Sequence, residues 1–96
     1  MKEINVNDID KIENPYILDV RELSELEETG TIKGAVHIPM NDILKRVKEI
    51  PQNEDIYILC RSGNRSKMVG LLLGSFGFNT INLEGGIMDY KGETVK

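Results

Sequence analysis

Cys60 is the one thiol in a chain of 96 residues, and its neighbours are of the kinds that make a thiol a nucleophile. It opens the segment Cys60-Arg61-Ser62-Gly63-Asn64-Arg65-Ser66. Residues 60 to 67 carry three positive side chains, Arg61, Arg65 and Lys67, and no negative one. An apolar run precedes the segment and a second follows it, so the thiol stands where a strand gives way to a helix. Backbone N–H groups of the loop and first helical turn converge there, and with the positive end of the helix dipole they favour an anion. The chemistry this arrangement offers is attack by a thiolate. A lone cysteine is often no more than a small buried apolar residue; the basic, glycine-containing turn argues against that reading here.

The elements that must hold this turn are legible on both sides of it. Asp55-Ile56-Tyr57-Ile58-Leu59 is short, β-branched and aromatic, and is entered from the turn-prone Pro51-Gln52-Asn53-Glu54, which predicts a buried strand. From Ser66 to Phe76 the apolar positions 68, 69, 71, 72, 73 and 76 predict a helix with a wide buried face, capped by Gly77. Its Gly70 and Gly74, four apart, predict close packing on the sheet.

Further strands are predicted at Tyr16 to Val20, Ala35 to Ile38 and Thr80 to Leu83. A helix is predicted over Glu22 to Glu28, with Leu23 and Leu26 inward and a stop near Gly30. Another is predicted over Asn41 to Ile50, on Ile43, Leu44, Val47 and Ile50. A short helix around Ile9 and Ile12 takes Asn7 as its cap, and the tail from Gly92 to Lys96 is expected to fray. Strands alternating with helices at this spacing mean an α/β fold, a parallel sheet with helices on both faces.

In such folds ligands sit beyond the carboxyl ends of the strands, where both Asp19 and Cys60 fall. Two readings of Asp19 stay open: an ion pair that orients Arg65 or Arg61, or a cap on the helix that starts near Glu22. Gly85 and Gly86 let the backbone pass close to the turn, and Glu84, Ile87 and Met88 are candidates for the mouth of a pocket. Arg21 and Glu22 read as structural salt links and His37 as a structural histidine, since one histidine without a serine elbow does not make a triad.

Composition narrows the class. The net charge of −4 argues against nucleic acid as a partner, and it leaves the basic turn a local anion site in an otherwise acidic chain. No run reaches the roughly 18 apolar residues of a membrane span, and the amino terminus lacks the apolar stretch of a secretion signal, so a cytoplasmic location is expected. A single cysteine permits neither an intrachain disulfide nor a cysteine-rich zinc site. Neither metal nor cofactor is called for. One domain over residues 1–96 is expected from length.

The wider pattern resembles the single-domain rhodaneses. It comprises Asp19-Val20-Arg21-Glu22, Gly30-Thr31-Ile32-Lys33-Gly34-Ala35 with His37-Ile38-Pro39, the Cys60 to Ser66 turn, Gly77-Phe78, and Leu83-Glu84-Gly85-Gly86-Ile87. The resemblance is collinear over residues 16 to 90. It departs at Thr31, where the family usually has histidine, and at Tyr90, where it commonly has tryptophan. What it implies is a three-layer rhodanese-like fold, a parallel sheet of about five strands, and thiosulfate sulfurtransferase activity with Cys60 as the nucleophile. Arg61, Ser62, Gly63, Asn64, Arg65 and Ser66 would bind the donor, with Asp19, Gly85 and Gly86 in support behind them.

On that reading the Cys60 thiolate takes a sulfur from a small anionic donor, thiosulfate or a persulfide, and passes it to cyanide, a cellular thiol or a protein acceptor. A persulfide carrier serving a protein partner is the alternative from another class. A cysteine-dependent phosphatase or arsenate reductase ranks below both, because C-x5-R would need arginine at position 66, which is Ser66, and the spacing here is C-x4-R.

Overall fold

The computed structural model describes residues 1–96. Its frame is a five-stranded sheet built from β1 (Lys2–Asn5), β2 (Tyr16–Asp19), β4 (Val36–His37), β5 (Asp55–Leu59) and β6 (Asn79–Glu84), in the order β1-β6-β5-β2-β4. Every neighbouring pair in it is parallel. The helices are α1 (Leu23–Thr29), α2 (Ile43–Arg46), α3 (Asn64–Ser75) and α4 (Gly86–Asp89). None of them is long and apolar enough to cross a membrane.

The alternation of side chains along β5 divides the core in two. Ile56, Ile58 and Cys60 point to one face with Leu18, Val20, Ile43, Val69 and Leu73, under α2 and α3. Tyr57 and Leu59 point to the other with Val6, Ile9, Ile17, Ile81 and Leu83, against the 3-10 turn Val6–Lys11 and α4. Cys60 therefore ends the row of β5 side chains that α3 covers. β2 runs beside it in register, Leu18 opposite Ile58 and Asp19 opposite Leu59.

The predicted strands are all present, β5 with the predicted bounds, but the helices differ in instructive ways. α3 buries only Ser66, Val69, Gly70 and Leu73, while Met68, Leu71 and Phe76 are more than half exposed. Of the two helix glycines, Gly70 meets the sheet and Gly74 does not: Thr80 Oγ1 donates to the Gly70 carbonyl at 2.9 Å, and a Cβ on Gly70 would collide with the Met1 side chain, whereas Gly74 is exposed with room for a Cβ. A wide apolar face was expected; the close approach at Gly70 restricts contact to a narrow stripe. Gly77, at φ +96°, ends the helix as predicted, its N–H bonded to Gly74 O at 3.0 Å and that of Phe78 to Leu73 O at 3.2 Å.

The expected helix over 41 to 50 is broken into a 3-10 turn (Met40–Asp42), α2 and a second 3-10 turn (Val47–Glu49), with Leu44 exposed. Leu23 is also exposed, and α1 buries no residue fully. Asn5, not Asn7, caps the first turn, its Oδ1 accepting from Asn7 N at 2.9 Å.

The tail does not fray where expected. β7 (Thr94–Val95) pairs antiparallel with β3 (Thr31–Ile32). Gly30, at φ +75°, makes this possible, because a Cβ there would stand 2.7 Å from the Val95 carbonyl oxygen.

The narrow contact of α3 has a direct test. Leu73→Ala should destabilise the protein by about 2–5 kcal/mol, as buried leucine truncations do, while Leu71→Ala should stay within about 0.5 kcal/mol. Equal losses in urea unfolding would mean that α3 presents both leucines to the core.

Candidate active site

β5 delivers Cys60 to the carboxyl end of the sheet with only 1% of the residue exposed. The chain then turns through Arg61 and Ser62 to Gly63, whose φ of +105° favours glycine. From there its N–H donates to Cys60 Sγ at 3.0 Å. α3 begins at the next residue, so the sulfur meets a backbone donor and the positive end of a 12-residue helix together. Ser66 Oγ lies 3.3 Å from the sulfur on the inner side.

The turn is held from behind by α4. Ile87 N–H bonds Cys60 O at 2.9 Å and Met88 N–H bonds Arg61 O at 3.1 Å. Gly86, at φ +62°, is what lets α4 come so near: a Cβ there would stand 2.5 Å from Cys60 O. Of the Gly85-Gly86 pair, Gly86 makes this contact; a Cβ on Gly85 would meet Asp89 within α4 instead.

The charged residues are partnered differently from the expectation. Asp19 touches neither Arg61 nor Arg65 and caps no helix. Its Oδ2 accepts from Arg21 Nη2 at 2.8 Å and from Thr31 Oγ1 at 2.7 Å, and its Oδ1 accepts from Arg21 Nε at 3.1 Å. Arg21 follows two residues later and reaches the carboxylate before any more distant cation. Arg21 is itself buried, and donates further to Gly30 O and Thr29 Oγ1, which fits its expected structural role. Thr31, in place of the family's usual histidine, thus supplies a hydroxyl to Asp19. His37 Nε2 bonds the Arg21 carbonyl at 2.6 Å, a structural contact.

Arg65 is oriented instead by Glu25 on α1, through two bonds of 2.6 and 2.7 Å. Arg65 holds the Glu25 carboxyl far below its ordinary range, at about 2, against the opposing effect of burial. Glu22 and Glu25 also form the reciprocal capping box that starts α1. Glu25 went unnoticed in the sequence because its partner lies 40 residues away. Asn82, buried in β6 against the Ser66 hydroxyl, was also missed, although a lone amide between Ile81 and Leu83 was a visible signal.

A cleft of about 310 Å³ opens beside the turn, between Arg61, Ile87 and Met88 on one side and Glu25, Glu28 and Thr29 of α1 on the other. Ile87 and Met88 stand at its mouth as expected; Glu84 does not line it. Arg61, Ser62 and Asn64 are exposed. Tyr90, in the place of the family's common tryptophan, donates to Asp10 Oδ1 at 2.8 Å, and burial together with Asp10 pushes its hydroxyl up to about 12. No three His, Cys, Asp or Glu side chains converge as a metal would require.

These features make the chain an α/β protein that presents a buried thiol on a tight basic turn at the carboxyl edge of a parallel sheet, with a backbone N–H directed at the sulfur. The chain belongs to the rhodanese-like domain family, whose model matches residues 3–93. It is 43% identical to "Putative sulfurtransferase YtwF" of Bacillus subtilis, over 90% of this chain and 82% of that protein. To "Putative sulfur carrier protein YrkF" of the same organism it is 42% identical, over 90% of this chain but only 46% of that protein, so it spans about half of YrkF. Among solved structures, a rhodanese-like domain protein from Staphylococcus aureus superposes with a TM-score of 0.87 at 32% identity, over 100% of this chain and 99% of that one. At the family level these relatives support sulfur transfer.

The Glu25–Arg65 pair sets an acid limit on the site. The folded value of Glu25 lies below the ordinary 4.5, so the pair's stabilisation is present above about pH 4.5 and is lost as pH falls towards about 2. Glu25→Gln should therefore be less stable than the wild type at pH 7, with the gap in urea midpoint closing as pH falls through that window. A gap that does not change with pH would show that the charge on Glu25 contributes nothing.

Proposed function

We propose that this protein moves sulfane sulfur through a persulfide on Cys60. The observation that carries the reading is the Gly63 N–H directed at Cys60 Sγ, 3.0 Å away, at the start of α3. With thiosulfate as donor, the Cys60 thiolate attacks the outer sulfur, a new S–S bond forms on Cys60, and sulfite leaves with the electrons of the old one. The product is the anion Cys60-S-S⁻, which loop N–H groups stabilise as an oxyanion hole stabilises oxygen. Cyanide or a thiolate then attacks the terminal sulfur and returns Cys60 as thiolate. No step needs a general base, a metal or a cofactor.

The two arginines have separate parts. Arg61 is exposed, lines the cleft and receives the anionic donor. Arg65 has its fork filled by Glu25 and contributes positive charge beside the sulfur. That occupancy favours sulfur over phosphoryl transfer, because a phosphate ester would require the guanidinium for its own oxygens. Ser62 and Asn64 frame the open side of the turn, while Gly63 and Ser66 face the sulfur. Gly85 and Gly86 seat α4 behind the turn, and Asp19 ties Arg21 and Thr31 together beside it, without meeting the substrate. A lone thiol of this kind suits the reducing cytoplasm.

The carrier reading draws on YrkF, which is named a sulfur carrier. In that case the acceptor is a protein thiol and turnover with small acceptors is slow. The two readings share the persulfide and part at the second half-reaction.

Intact mass after thiosulfate treatment should show one added sulfur atom, removable by cyanide, and Cys60→Ser should lose both the adduct and all turnover. Wild-type turnover in Cys60→Ser would sink the mechanism. An adduct that forms quickly but passes slowly to cyanide and to small thiols would decide for the carrier.

Arg61→Ala should raise KM for thiosulfate about fivefold, the equivalent of roughly 1 kcal/mol for an exposed charge pair, and salt should shrink the difference. Unchanged KM at low salt would remove Arg61 from donor binding.

A further inference from the structure

Behind Cys60, outside the lining of the cleft, a row of polar side chains runs through the sheet to its edge. Ser66 and Asn82 are fully buried in it. Ser66 Oγ stands 3.3 Å from Cys60 Sγ and 3.1 Å from the Gly63 carbonyl oxygen, and it also meets Asn82 Oδ1. Asn82 Nδ2 donates to Glu3 Oε2, on edge strand β1, at 2.7 Å. Lys67 Nζ lies 3.6 Å from the same carboxylate oxygen. The transfer steps above use none of Asn82, Glu3 or Lys67.

Proton counting gives this row a direction. A carboxylate only accepts, so Glu3 draws the NH₂ end of Asn82 towards itself and leaves the Oδ1 end facing Ser66. Ser66 has a single hydroxyl proton, and Asn82 Oδ1 and Gly63 O both compete for it. The hydroxyl is thereby committed away from the sulfur and turns a lone pair towards it. That suits an S–H and withholds a donor from a thiolate. Without the carboxylate, Asn82 can rotate and donate to Ser66, which releases the hydroxyl proton to the sulfur.

We propose that Glu3 is a positioning residue for Cys60: through Asn82 it aims the Ser66 hydroxyl, and so sets how much of the sulfur's negative charge is met by a hydrogen-bond donor. The inference rests on Cys60 being the reacting atom. The hydrogen bond from Asn82 holds the Glu3 carboxyl below its ordinary range, with burial opposing and Lys67 assisting, so the carboxylate persists at neutral pH. The consequence for transfer is a more nucleophilic sulfur, because the intrinsic reactivity of a thiolate falls as its thiol becomes more acidic. The charges around the row are Arg61 and Arg65 in the turn, Glu25 across from Arg65, Lys67 on α3, and the amino terminus near Glu3.

The test is the rate of alkylation by iodoacetamide against pH, followed by intact mass. This reagent is neutral and reads the thiol whether or not the protein transfers sulfur, so failure here is distinct from failure of the proposed function. Glu3→Ala, which removes the acceptor that Asn82 Nδ2 uses, should lower the inflection by about one pH unit, the size expected when a charged group gains a hydrogen bond. Loss of a negative charge would by itself shift the inflection the same way. The comparison is therefore repeated in Asn82→Ala, which cuts the row, and in Ser66→Ala should the first background fail to fold. In the cut background Glu3→Ala should shift the inflection by clearly less, since only the effect of the lost charge remains. A shift of equal size there would show that Glu3 acts only as a distant charge, and no shift in the single variant would overturn the proposal outright.

Discussion

Two hydrogen bonds, from the N–H groups of Ile87 and Met88 to the carbonyls of Cys60 and Arg61, are the constraint on which the site depends. In a trans peptide the C=O and N–H point in opposite directions. Binding both carbonyls to α4 therefore turns the amides of Arg61 and Ser62 away from it, and the chain comes round so that Gly63 N–H reaches the sulfur. α4 has only four residues, so its own hydrogen bonds cannot hold it in place. Gly85 and Gly86, both at positive φ, set the bend that brings it against the turn. The thiol and the Gly-Gly pair lie far apart in the chain but form one piece of backbone geometry.

The charged residues serve a complementary purpose. A buried pair such as Asp19–Arg21 adds little net stability, because desolvation offsets its attraction. Its value here is positional. Arg21 reaches from the end of β2 to Thr29 and Gly30 at the end of α1, while Asp19 takes a bond from Thr31 on β3. α1 has no fully buried residue, so it is these polar links, rather than an apolar face, that fix it over the turn. Fixed there, it holds Glu25 against Arg65.

How far the sequence could be read depended on whether the signal was local. β5 and the turn after it were legible because strand pattern, glycine and basic residues are all contiguous. The placement of Cys60 beyond the strand end followed directly. The buried face of α3 was misread because six apolar positions cannot say which of them meets the sheet; Gly70 settles that by contact, not by hydrophobicity. β1 and β7 were missed for a different reason. Lys2-Glu3-Ile4-Asn5 has one apolar residue and Thr94-Val95 is too short for any period, so both are strands only through partners more than 60 residues away in the chain. Asp19 ends β2 opposite Leu59 but pairs with Arg21 and not with Arg61 or Arg65, since spacing shows that a charge is present but not which opposite charge reaches it first.

Position 66 shows how the same backbone favours one chemistry. A cysteine phosphatase of C-x5-R spacing needs a guanidinium at the sixth residue after the nucleophile, directed outward over the turn. Here that residue is Ser66, which is fully buried and directed inward to Asn82. An arginine on this backbone would have to enter the space between the sulfur and β6, breaking the Ser66–Asn82 contact and burying a charge. The one arginine that does lie near the sulfur, Arg65, is engaged on both of its terminal nitrogens by Glu25. What remains for a bound group is the N–H groups of the turn and of the first residues of α3, the positive end of that helix and an exposed Arg61. A single sulfur atom carrying one negative charge can be met by that set alone, whereas the three oxygens of a phosphoryl group would also call on the guanidinium that Glu25 already holds.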